Sequence, residues 1–293
     1  MHRILTKETL APGVKAMEIE APLIARKVLP GQFVILRIHE EGERIPLTVA
    51  QFNPDKGIVK IVFQEVGKTT EQLGFLKPGD TLQDFIGPLG LPMEINLHGC
   101  QVVCIAGGVV PIFLEAKAYK EAGNQVLTIL GARTRELIIL EREMQEVSDK
   151  VYITTDDGSY GIKGFVTEAL KQILTENGNI DEVFAAGPLP MMKAVSEMTR
   201  PYKIKTLVSL NSIMVDGTGM CGTCRVTVGG KMKFTCVDGP TFNGHEVDFA
   251  ELALRQKRFL VEEELSWGLF REGCKKRTDV MRCRQQKTKE PEE

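Results

Sequence analysis

At Asp216-Gly217-Thr218-Gly219-Met220-Cys221-Gly222-Thr223-Cys224 the chain combines glycines with two cysteines, and Cys236 follows after eleven further residues. The spacing is D-x4-C-x2-C-x11-C. Plant-type [2Fe–2S] sites use C-x4-C-x2-C with a distant fourth cysteine, so an aspartate stands here in place of the first cysteine. Three thiolates and one carboxylate can still hold two irons. The spacing therefore predicts a [2Fe–2S] centre, and hence an electron carrier, with four metal ligands: Asp216, Cys221, Cys224 and Cys236.

A structural zinc site is the alternative interpretation, with Asp216 or His245 as the fourth ligand. Zinc usually takes two C-x2-C pairs or cysteine–histidine pairs, whereas this chain offers one such pair. Glycines 217, 219 and 222 let backbone amides approach sulfur, which favours iron–sulfur over zinc. Asp216 has an alternative role of its own, because an aspartate before Gly-Thr-Gly is a good turn former.

Length and composition set the broad class. A chain of 293 residues accommodates two domains and a small third module. Lys and Arg number 37 against 39 Asp and Glu, a net charge of −2, which gives no reason to expect nucleic acid or an acidic membrane as partner. The first residues lack the apolar run of a signal peptide, and Val102–Leu114 is too short to span a bilayer. We expect no membrane insertion and a cytoplasmic location.

The remaining cysteines do not suggest a disulfide framework in a cytoplasmic chain. Cys100 and Cys104 flank an apolar segment and are predicted to be buried small side chains. Cys274 and Cys283 match no metal-binding pattern and stay unassigned. From Phe249 onward, charged residues punctuated by leucines predict an amphipathic helix, and we interpret the excess of Lys and Arg at its end as a solvated terminus.

Two patterns follow one another along the chain. Up to residue 97, short apolar runs alternate with Gly, Pro and Asn turns, which predicts an antiparallel barrel; the candidate strands are Val14–Ile19, Gln32–Ile38, Ile58–Phe63 and Thr81–Phe85. From residue 98 to 212, strands alternate with helices, which predicts a doubly wound parallel sheet. Its candidate strands are Gln101–Ala106, Gln125–Leu130, Val151–Thr154, Glu182–Ala186 and Thr206–Leu210, and its candidate helices are Pro111–Ala122, Gly164–Glu176 and Pro190–Thr199.

These patterns define a β plus α/β fold class with four segments. We expect an N-terminal antiparallel barrel at 1–97, a parallel-sheet nucleotide domain at 98–212, a small cluster lobe at 213–248, and a C-terminal helix with a polar tail at 249–293.

The barrel carries residues suited to a flavin. Arg44 is a bidentate donor for pyrophosphate, and the strand that follows brings a proline edge and a hydroxyl that can face a flavin ring. A glycine followed by two threonines offers amides and hydroxyls around phosphate. The predicted flavin-binding residues are Arg44, Pro46, Leu47, Thr48, Phe63, Gln64, Gly67, Thr69 and Thr70. Each motif alone is equally compatible with a surface arginine and an ordinary turn.

Two loops of the nucleotide domain suit a dinucleotide. The first strand runs into Gly107-Gly108-Val109-Val110-Pro111, ahead of a helix whose N-terminus favours pyrophosphate. A second loop, Gly187-Pro188-Leu189-Pro190-Met191, follows a later strand. The predicted nucleotide-binding residues are Gly107, Gly108, Val110, Pro111, Gly187, Pro188 and Met191. A single Gly-Gly pair is also compatible with an ordinary strand–helix turn.

With these motifs together, residues 1–250 resemble the ferredoxin-reductase superfamily. They are similar to the electron-transfer subunit of dihydroorotate dehydrogenase, and more closely to the small subunit of NADH-dependent ferredoxin:NADP oxidoreductase, also known as a sulfide dehydrogenase subunit. The most specific match is Val208–Cys224, extended by Phe234–Pro240 and Gly244-His245; Gly131–Glu136 and Asp157–Gly164 also match. The dihydroorotate type carries four cysteines, whereas the ferredoxin:NADP type carries an aspartate at the position of Asp216.

The resemblance implies that a nicotinamide nucleotide, NAD(H) or NADP(H), delivers hydride to FAD, and that the cluster relays single electrons to a larger flavoprotein subunit. It implies no catalytic acid or base, since hydride transfer to a flavin needs neither. One departure stands out: the family's first nucleotide loop reads G-G-G-x-G-x-A-P, and the loop at Gly107 is two residues shorter. A shorter loop offers fewer free amides to pyrophosphate. The alternatives are the dihydroorotate dehydrogenase subunit and a non-enzymatic, zinc-stabilised nucleotide-binding module.

Overall fold

The computed structural model describes residues 2–176 and 179–287. Within these ranges the strands form two seven-stranded sheets and one two-stranded hairpin. None of the helices described there is long and apolar enough to cross a membrane.

The N-terminal sheet is entirely antiparallel and has the order β6-β1-β2-β5-β4-β3-β7. Inward-facing side chains such as Met17, Ile19 and Ile61 are fully buried, and they make the core of a nearly closed barrel. Its strands are β1 (His2–Ala11), β2 (Val14–Glu20), β3 (Phe33–Arg37), β4 (Ile45–Asn53), β5 (Ile58–Gln64), β6 (Thr81–Leu82) and β7 (Asp84–Leu89), with helices α1 (Pro22–Ala25) and α2 (Lys68–Phe75).

The second sheet is built from parallel strands in the order β11-β10-β9-β8-β12-β13. Residues 102–106 of its central strand are at most 4% exposed, because helices cover both faces of a doubly wound sheet. Its strands are β8 (Gln101–Gly107), β9 (Gln125–Ala132), β10 (Lys150–Thr155), β11 (Ile162–Lys163), β12 (Glu182–Ala186) and β13 (Lys205–Ser209). Its helices are α3 (Phe113–Glu121), α4 (Glu141–Val147), α5 (Val166–Glu176) and α6 (Leu189–Thr199), with single 3-10 turns at Arg135–Leu137 and Arg200–Tyr202.

The cysteine-bearing lobe is small and joins the second sheet at its edge. It consists of the hairpin β14 (Arg225–Val228) and β15 (Lys231–Phe234), the short helix α7 (Thr235–Asp238), and β16 (Thr241–Asn243). β16 pairs antiparallel with β13, through Val208 opposite Phe242 and two neighbouring pairs. The lobe is therefore continuous with the second sheet through main-chain hydrogen bonds.

Two helices end the chain, α8 (Phe249–Gln256) and α9 (Leu260–Lys287). The Asp248 carboxylate caps α8 by accepting from the amide of Glu251 at 2.9 Å. Phe249 and Leu252 of α8 are buried in the core shared with the cysteine-bearing lobe. α9 then runs to the barrel, where it contacts α2.

The predicted fold class is confirmed, and most strand and helix bounds agree to within one or two residues. Several details differ. α3 begins at Phe113 rather than Pro111, because Gly108 adopts a left-handed conformation (φ 70°) and the following residues stay irregular. The segment Thr81–Phe85 is divided between two strands. The strand after Arg44, β4, was predicted without bounds, and β1, β11, α1, α2 and α4 had no counterpart among the predicted elements. Cys100 is half-buried rather than buried, since it lies in the turn before β8, whereas Cys104 is fully buried as predicted.

The interpretation of the basic end as solvated concerns side chains after Cys274, which lie outside the described residues, as does the side chain of Cys283.

Candidate functional site

The loop that carries the cysteines is shaped by three glycines in the left-handed region. Gly217, Gly219 and Gly222 have φ of 81°, 89° and 66°, which L-residues with a side chain adopt only at a cost. A Cβ on Gly217 would also lie 2.7 Å from Cγ1 of Ile35 on β3. The loop therefore keeps its path only with glycine, and it lies directly on the barrel.

Two of the cysteines form a close buried pair. The Sγ atoms of Cys224 and Cys236 are 3.2 Å apart, and each residue is 1% exposed. Thr235 fixes the pair, because both its amide and its hydroxyl donate to the carbonyl of Cys224, at 3.1 and 2.9 Å. Burial, and then the adjacent Cys224 thiol, raise the pKa of Cys236. A bound cation would reverse this, since metal ligation deprotonates a thiol.

Cys221 is exposed and lies in a different environment. Partial burial opposes ionisation, but hydrogen bonds from the Thr223 side chain and from the amides of Thr223, Asp216 and Val215 outweigh it and lower the pKa of Cys221. Several amides aimed at one sulfur stabilise a thiolate, which is the form that binds metal.

Asp216 is engaged by its own loop. Its Oδ2 accepts from the Thr218 hydroxyl at 2.6 Å and from the amides of Thr218 and Met220 at 3.0 and 3.2 Å. The Thr218 hydroxyl, followed by these amides and the charge of Arg44, lowers the pKa of Asp216. The carboxylate thus has the turn-forming role that the sequence allowed, and Oδ1 accepts none of these hydrogen bonds.

This donor set fits a two-iron cluster better than a single ion. Among the described residues, no three His, Cys, Asp or Glu side chains converge closely enough to hold one metal ion. A [2Fe–2S] cluster needs only two protein ligands for each iron. The close Cys224–Cys236 pair meets that need on one side, and Cys221 beside Asp216 offers the second pair. His245, the alternative zinc ligand, instead bonds Thr199 on α6 at 3.0 Å.

The cysteine-bearing loop is packed against β3 of the barrel. Phe33 and Ile35 of β3 form one apolar cluster with Met214, Cys224 and Cys236, and Leu89 and Phe234 pack against it. The charge of Arg44, the predicted pyrophosphate ligand, also reaches Asp216. The predicted metal ligands and one predicted flavin ligand thus lie close together.

The predicted flavin residues of β4 line a partly open surface. Pro46, Leu47 and Thr48 are half-buried, whereas the residues after them are buried. The Arg44 side chain is exposed, and its Nη2 lies 3.8 Å from Oδ2 of Asp84. The Nε of Arg37 is closer to the same oxygen, at 2.6 Å. Phe63 differs from the others: it is 2% exposed and belongs to the barrel core.

The glycine–threonine segment forms the N-terminus of α2. The amides of Val66 and Gly67 donate to the Thr70 hydroxyl at 3.1 Å, so Thr70 acts as a local cap. The Thr69 hydroxyl donates to Glu43. The space beside Gly67 is open, with no atom within 4 Å of a Cβ placed there. An anion-binding helix end with free space beside it fits a phosphate group.

A cavity of about 510 Å³ lies at the carboxyl ends of the parallel strands, a size typical of small-molecule sites. Four of the predicted nucleotide-binding residues, Gly107, Gly108, Pro188 and Met191, line it. Gly187 brings the two loops together, because a Cβ there would lie 3.0 Å from the backbone of Gly107. Val110 and Pro111 instead line a small adjoining space beside Ile138 and Met144.

Gln64 is the link between the two halves of the site. It ends β5 of the barrel, and its side chain lines the cavity of the nucleotide domain. A nucleotide in that cavity would therefore reach the barrel, as hydride transfer to a flavin requires.

Sequence reasoning missed several residues of this cavity. Thr154, on β10, is 1% exposed, and its hydroxyl has no hydrogen-bond partner among the described residues. Asp156 follows β10 and offers its carboxylate to a ribose hydroxyl. The position of Thr154 and Asp156 at the end of a parallel strand was the available signal, since ligands bind at the carboxyl ends of such strands.

Comparisons with known proteins agree with this geometry. A family model described as the iron–sulfur cluster binding domain of dihydroorotate dehydrogenase B matches residues 211–248, which include all four predicted ligands. A Thermotoga maritima protein named as a homolog of the electron transfer subunit of dihydroorotate dehydrogenase B (NAD(+)) is 47% identical over 272 residues, covering 92% of this chain and 95% of its own. The Desulforamulus reducens electron transfer subunit is 34% identical, covering 84% and 96%.

Two solved structures are also similar to this chain. The NADH-dependent reduced ferredoxin-NADP oxidoreductase structure, described in connection with flavin-based electron bifurcation, contains a chain 45% identical to this one, with a TM-score of 0.86 and coverage of 92% and 98%. The ferredoxin reductase of carbazole 1,9a-dioxygenase, at 20% identity and a TM-score of 0.60, shares the fold alone. The chain belongs to the family of dihydroorotate dehydrogenase B electron transfer subunits and their homologues.

Proposed function

We propose that this protein is the electron-transfer subunit of an NADH-dependent ferredoxin:NADP oxidoreductase. It works in the cytoplasm with a larger flavoprotein subunit, and it passes electrons between a nicotinamide nucleotide and that partner. The observation that carries the proposal is Asp216 at the first ligand position, in a chain 45% identical to the solved relative of that type. When bound, FAD supplies the conversion between hydride and single electrons, and the [2Fe–2S] cluster supplies a one-electron relay.

The chain's own residues bind and position these groups. We assign Cys224 and Cys236 to one iron and Cys221 with Asp216 to the other, on the basis of the 3.2 Å sulfur contact. In the barrel, the flavin ligands are Arg44, Pro46, Leu47, Thr48, Gln64, Gly67, Thr69 and Thr70. In the nucleotide domain, Gly107, Gly108, Gly187, Pro188 and Met191 hold the dinucleotide, and Thr154 donates its free hydroxyl to it.

The domain division that supports these roles is also part of the proposal. Residues 1–97 bind FAD, 98–212 bind the nucleotide, 213–248 bind the cluster, and 249–293 are the C-terminal helix with its polar tail. Its support is the change of sheet type near Gly99 and the extent of the match at 211–248.

Anaerobic purification tests the proposal directly. We expect a coloured protein with one FAD, two irons and two sulfides per chain, whose flavin and cluster are bleached by NADH. Metal analysis, acid-labile sulfide and the visible spectrum measure this. A colourless, zinc-loaded chain without flavin would instead support the nucleotide-binding module and overturn the redox function.

Two substitutions at Asp216 test whether its carboxylate binds iron or only shapes the turn. We expect Asp216→Ala to lose most of the iron, because one ligand is removed, and Asp216→Cys to retain iron with a shifted redox midpoint, because a thiolate replaces a harder oxygen donor. Iron content and a potentiometric titration measure both effects. Unchanged iron and midpoint in both variants would leave Asp216 as a turn residue only.

A dihydroorotate dehydrogenase subunit is the second candidate, favoured by relatives such as the 34%-identical electron transfer subunit. The aspartate argues against it. Affinity purification of the full complex separates the two: a dihydroorotate dehydrogenase catalytic subunit as the partner would refute the first assignment.

A further inference from the structure

The C-terminal helix α9 is docked on the barrel. Its half-buried residues recur at helical spacing on one face, at Ser266, Trp267, Phe270, Gly273 and Cys274. This face meets α2, which precedes it by almost 200 residues in the chain. The predicted metal ligands and the residues of the nucleotide cavity take no part in this contact, so the contact has a separate role.

The contact is centred on one carboxylate. Both the Trp267 indole N–H and the Arg271 Nε donate to Oε2 of Glu71, the latter at 3.0 Å. The Arg271 guanidinium also stacks on the Trp267 ring, 4.0 Å from its centroid. The Phe75 and Phe270 rings extend the contact, with centroids 6.3 Å apart. Burial opposes ionisation, yet the donors Trp267 and Arg271 lower the pKa of Glu71 and keep it charged.

Glu71 lies in the first turn of α2, the helix whose N-terminus we assign to the FAD phosphates. That end is crowded with negative charge. Glu43 accepts from the Thr69 hydroxyl and lies 3.9 Å from Lys68. Glu263 of α9 is close enough to Glu43 for the two charges to interact. An uncompensated carboxylate at Glu71 would repel a pyrophosphate at the same helix end.

We propose that α9 is a flavin clamp, in which Trp267 and Arg271 hold the Glu71 carboxylate in place and Arg271 compensates its charge, so that the N-terminus of α2 is pre-organised for the FAD pyrophosphate. Both are positioning residues, since they act through Glu71. The inference rests on the proposed FAD site. Pre-organisation lowers the cost of ordering on binding, so α9 determines how tightly FAD is retained and not whether the barrel folds.

The opposite face of α9 supplies matched controls. Leu265 and Leu269 are 63% and 60% exposed on the same helix. A serine at either position changes the helix without touching the Glu71 contact.

The test measures FAD release from the full-length holoprotein, followed by the rise in flavin fluorescence. We expect Arg271→Gln to raise the Kd for FAD about fivefold, the size of one charge effect at a helix end. Trp267→Phe should raise it less, because the indole holds the carboxylate without carrying a charge. Arg271→Lys should recover part of the loss, and Leu265→Ser should have none. In a Glu71→Gln background, Arg271→Gln should have no further effect, because the carboxylate it neutralises is gone.

Riboflavin, which lacks the phosphates, separates clamping from folding. We expect its affinity to be the same in all variants. Equal losses for FAD and riboflavin would show a merely structural role and overturn the clamp. Unchanged FAD affinity in Arg271→Gln and Trp267→Phe, with a clear loss in Arg44→Gln, would overturn the clamp and leave the FAD site standing. No loss in Arg44→Gln would instead refute the proposed FAD site.

Discussion

Gly217 shows how much of the cluster loop depends on the absence of one side chain. Its φ of 81° and its distance to Ile35 impose two separate demands. Gly222 has a similar φ of 66°, but a Cβ there would meet the Phe234 ring at an ordinary 3.5 Å. A comparison of substitutions at the two glycines therefore separates the effect of backbone strain, which both positions share, from the effect of packing against the barrel, which only Gly217 has.

We predict that Gly217→Ala destabilises the protein more than Gly222→Ala. Each substitution carries about 1–2 kcal/mol of left-handed strain, and Gly217→Ala adds a steric conflict with β3. Thermal unfolding and iron retention measure the difference. Equal losses in the two variants would show that the loop does not depend on its contact with Ile35.

The spacing of the cysteines and the positions of the left-handed glycines are both features of the local sequence. The loop that carries the cysteines could therefore be predicted from the sequence. The environment of each cysteine could not. That Cys236 is buried while Cys221 is exposed depends on packing against the barrel strand β3, which lies far away in the chain.

At the level of elements, the nucleotide cavity depends on two loops that touch. Gly187 approaches the backbone of Gly107, and Gly108 donates its amide to the carbonyl of Gly131 at 2.8 Å. The short first loop is thus supported by both neighbouring strands. The shortening noted in the sequence is accompanied by close packing of the loops.

We predict that Gly187→Ala weakens NADH binding about tenfold, a change of roughly 1.4 kcal/mol, because its Cβ would push the two loops apart. Rates of flavin reduction at varied NADH concentration measure this, with FAD and iron content unchanged. Gly123→Ala is the control, since it adds strain at φ 82° in open space far from the contact. A normal NADH affinity in Gly187→Ala would show that the loops are independent.

Elements of the nucleotide domain were the most predictable part of the fold. Buried parallel strands are continuous apolar runs, and β12 was predicted at its observed bounds, Glu182–Ala186. α3 begins two residues later than predicted, because proline suits the first turn of a helix but here still belongs to the loop. In the barrel, β1 alternates polar and apolar residues only weakly, and its place depends on pairing with β2 and β6.

For the whole molecule, Glu115 connects the two large domains. It lies on α3, is 3% exposed, and accepts from the amide of Gly31 in the barrel, while its Oε2 has no hydrogen-bond partner among the described residues. Burial raises the pKa of Glu115 to about 7, although its own amide and that of Gly31 oppose the rise.

This raised pKa has a definite consequence for stability. Between pH 4.5 and about 7 the folded protein keeps a proton that the unfolded chain has released, so the free energy of unfolding falls as pH rises through this window. We predict that Glu115→Gln removes this fall and is more stable than the wild type at pH 8, by at most about 3 kcal/mol, with little difference at pH 5. Thermal unfolding at both pH values measures it.

Glu121→Gln on the same helix is the control, because Glu121 is exposed and pairs only with Lys117 at 3.6 Å. If Glu115→Gln keeps the pH dependence of the wild type, the group does not titrate in this range.

Relations between distant parts of the chain were the least predictable. The contact of Trp267 with Glu71 joins residues 196 positions apart, and no local pattern marks it. The predicted family is confirmed by the comparisons, whereas the individual ligand positions stay predictions.

The pairing of β16 with β13 has a further consequence. A parallel sheet ends in a row of unsatisfied amides and carbonyls, and such an exposed edge recruits strands from other molecules. Here three residues of the cysteine-bearing lobe cover that edge. A fragment cut after residue 212 would uncover β13 along Leu207–Ser209 and would be prone to aggregate. The cysteine-bearing lobe thus also shields one edge of the parallel sheet from pairing with strands of other molecules.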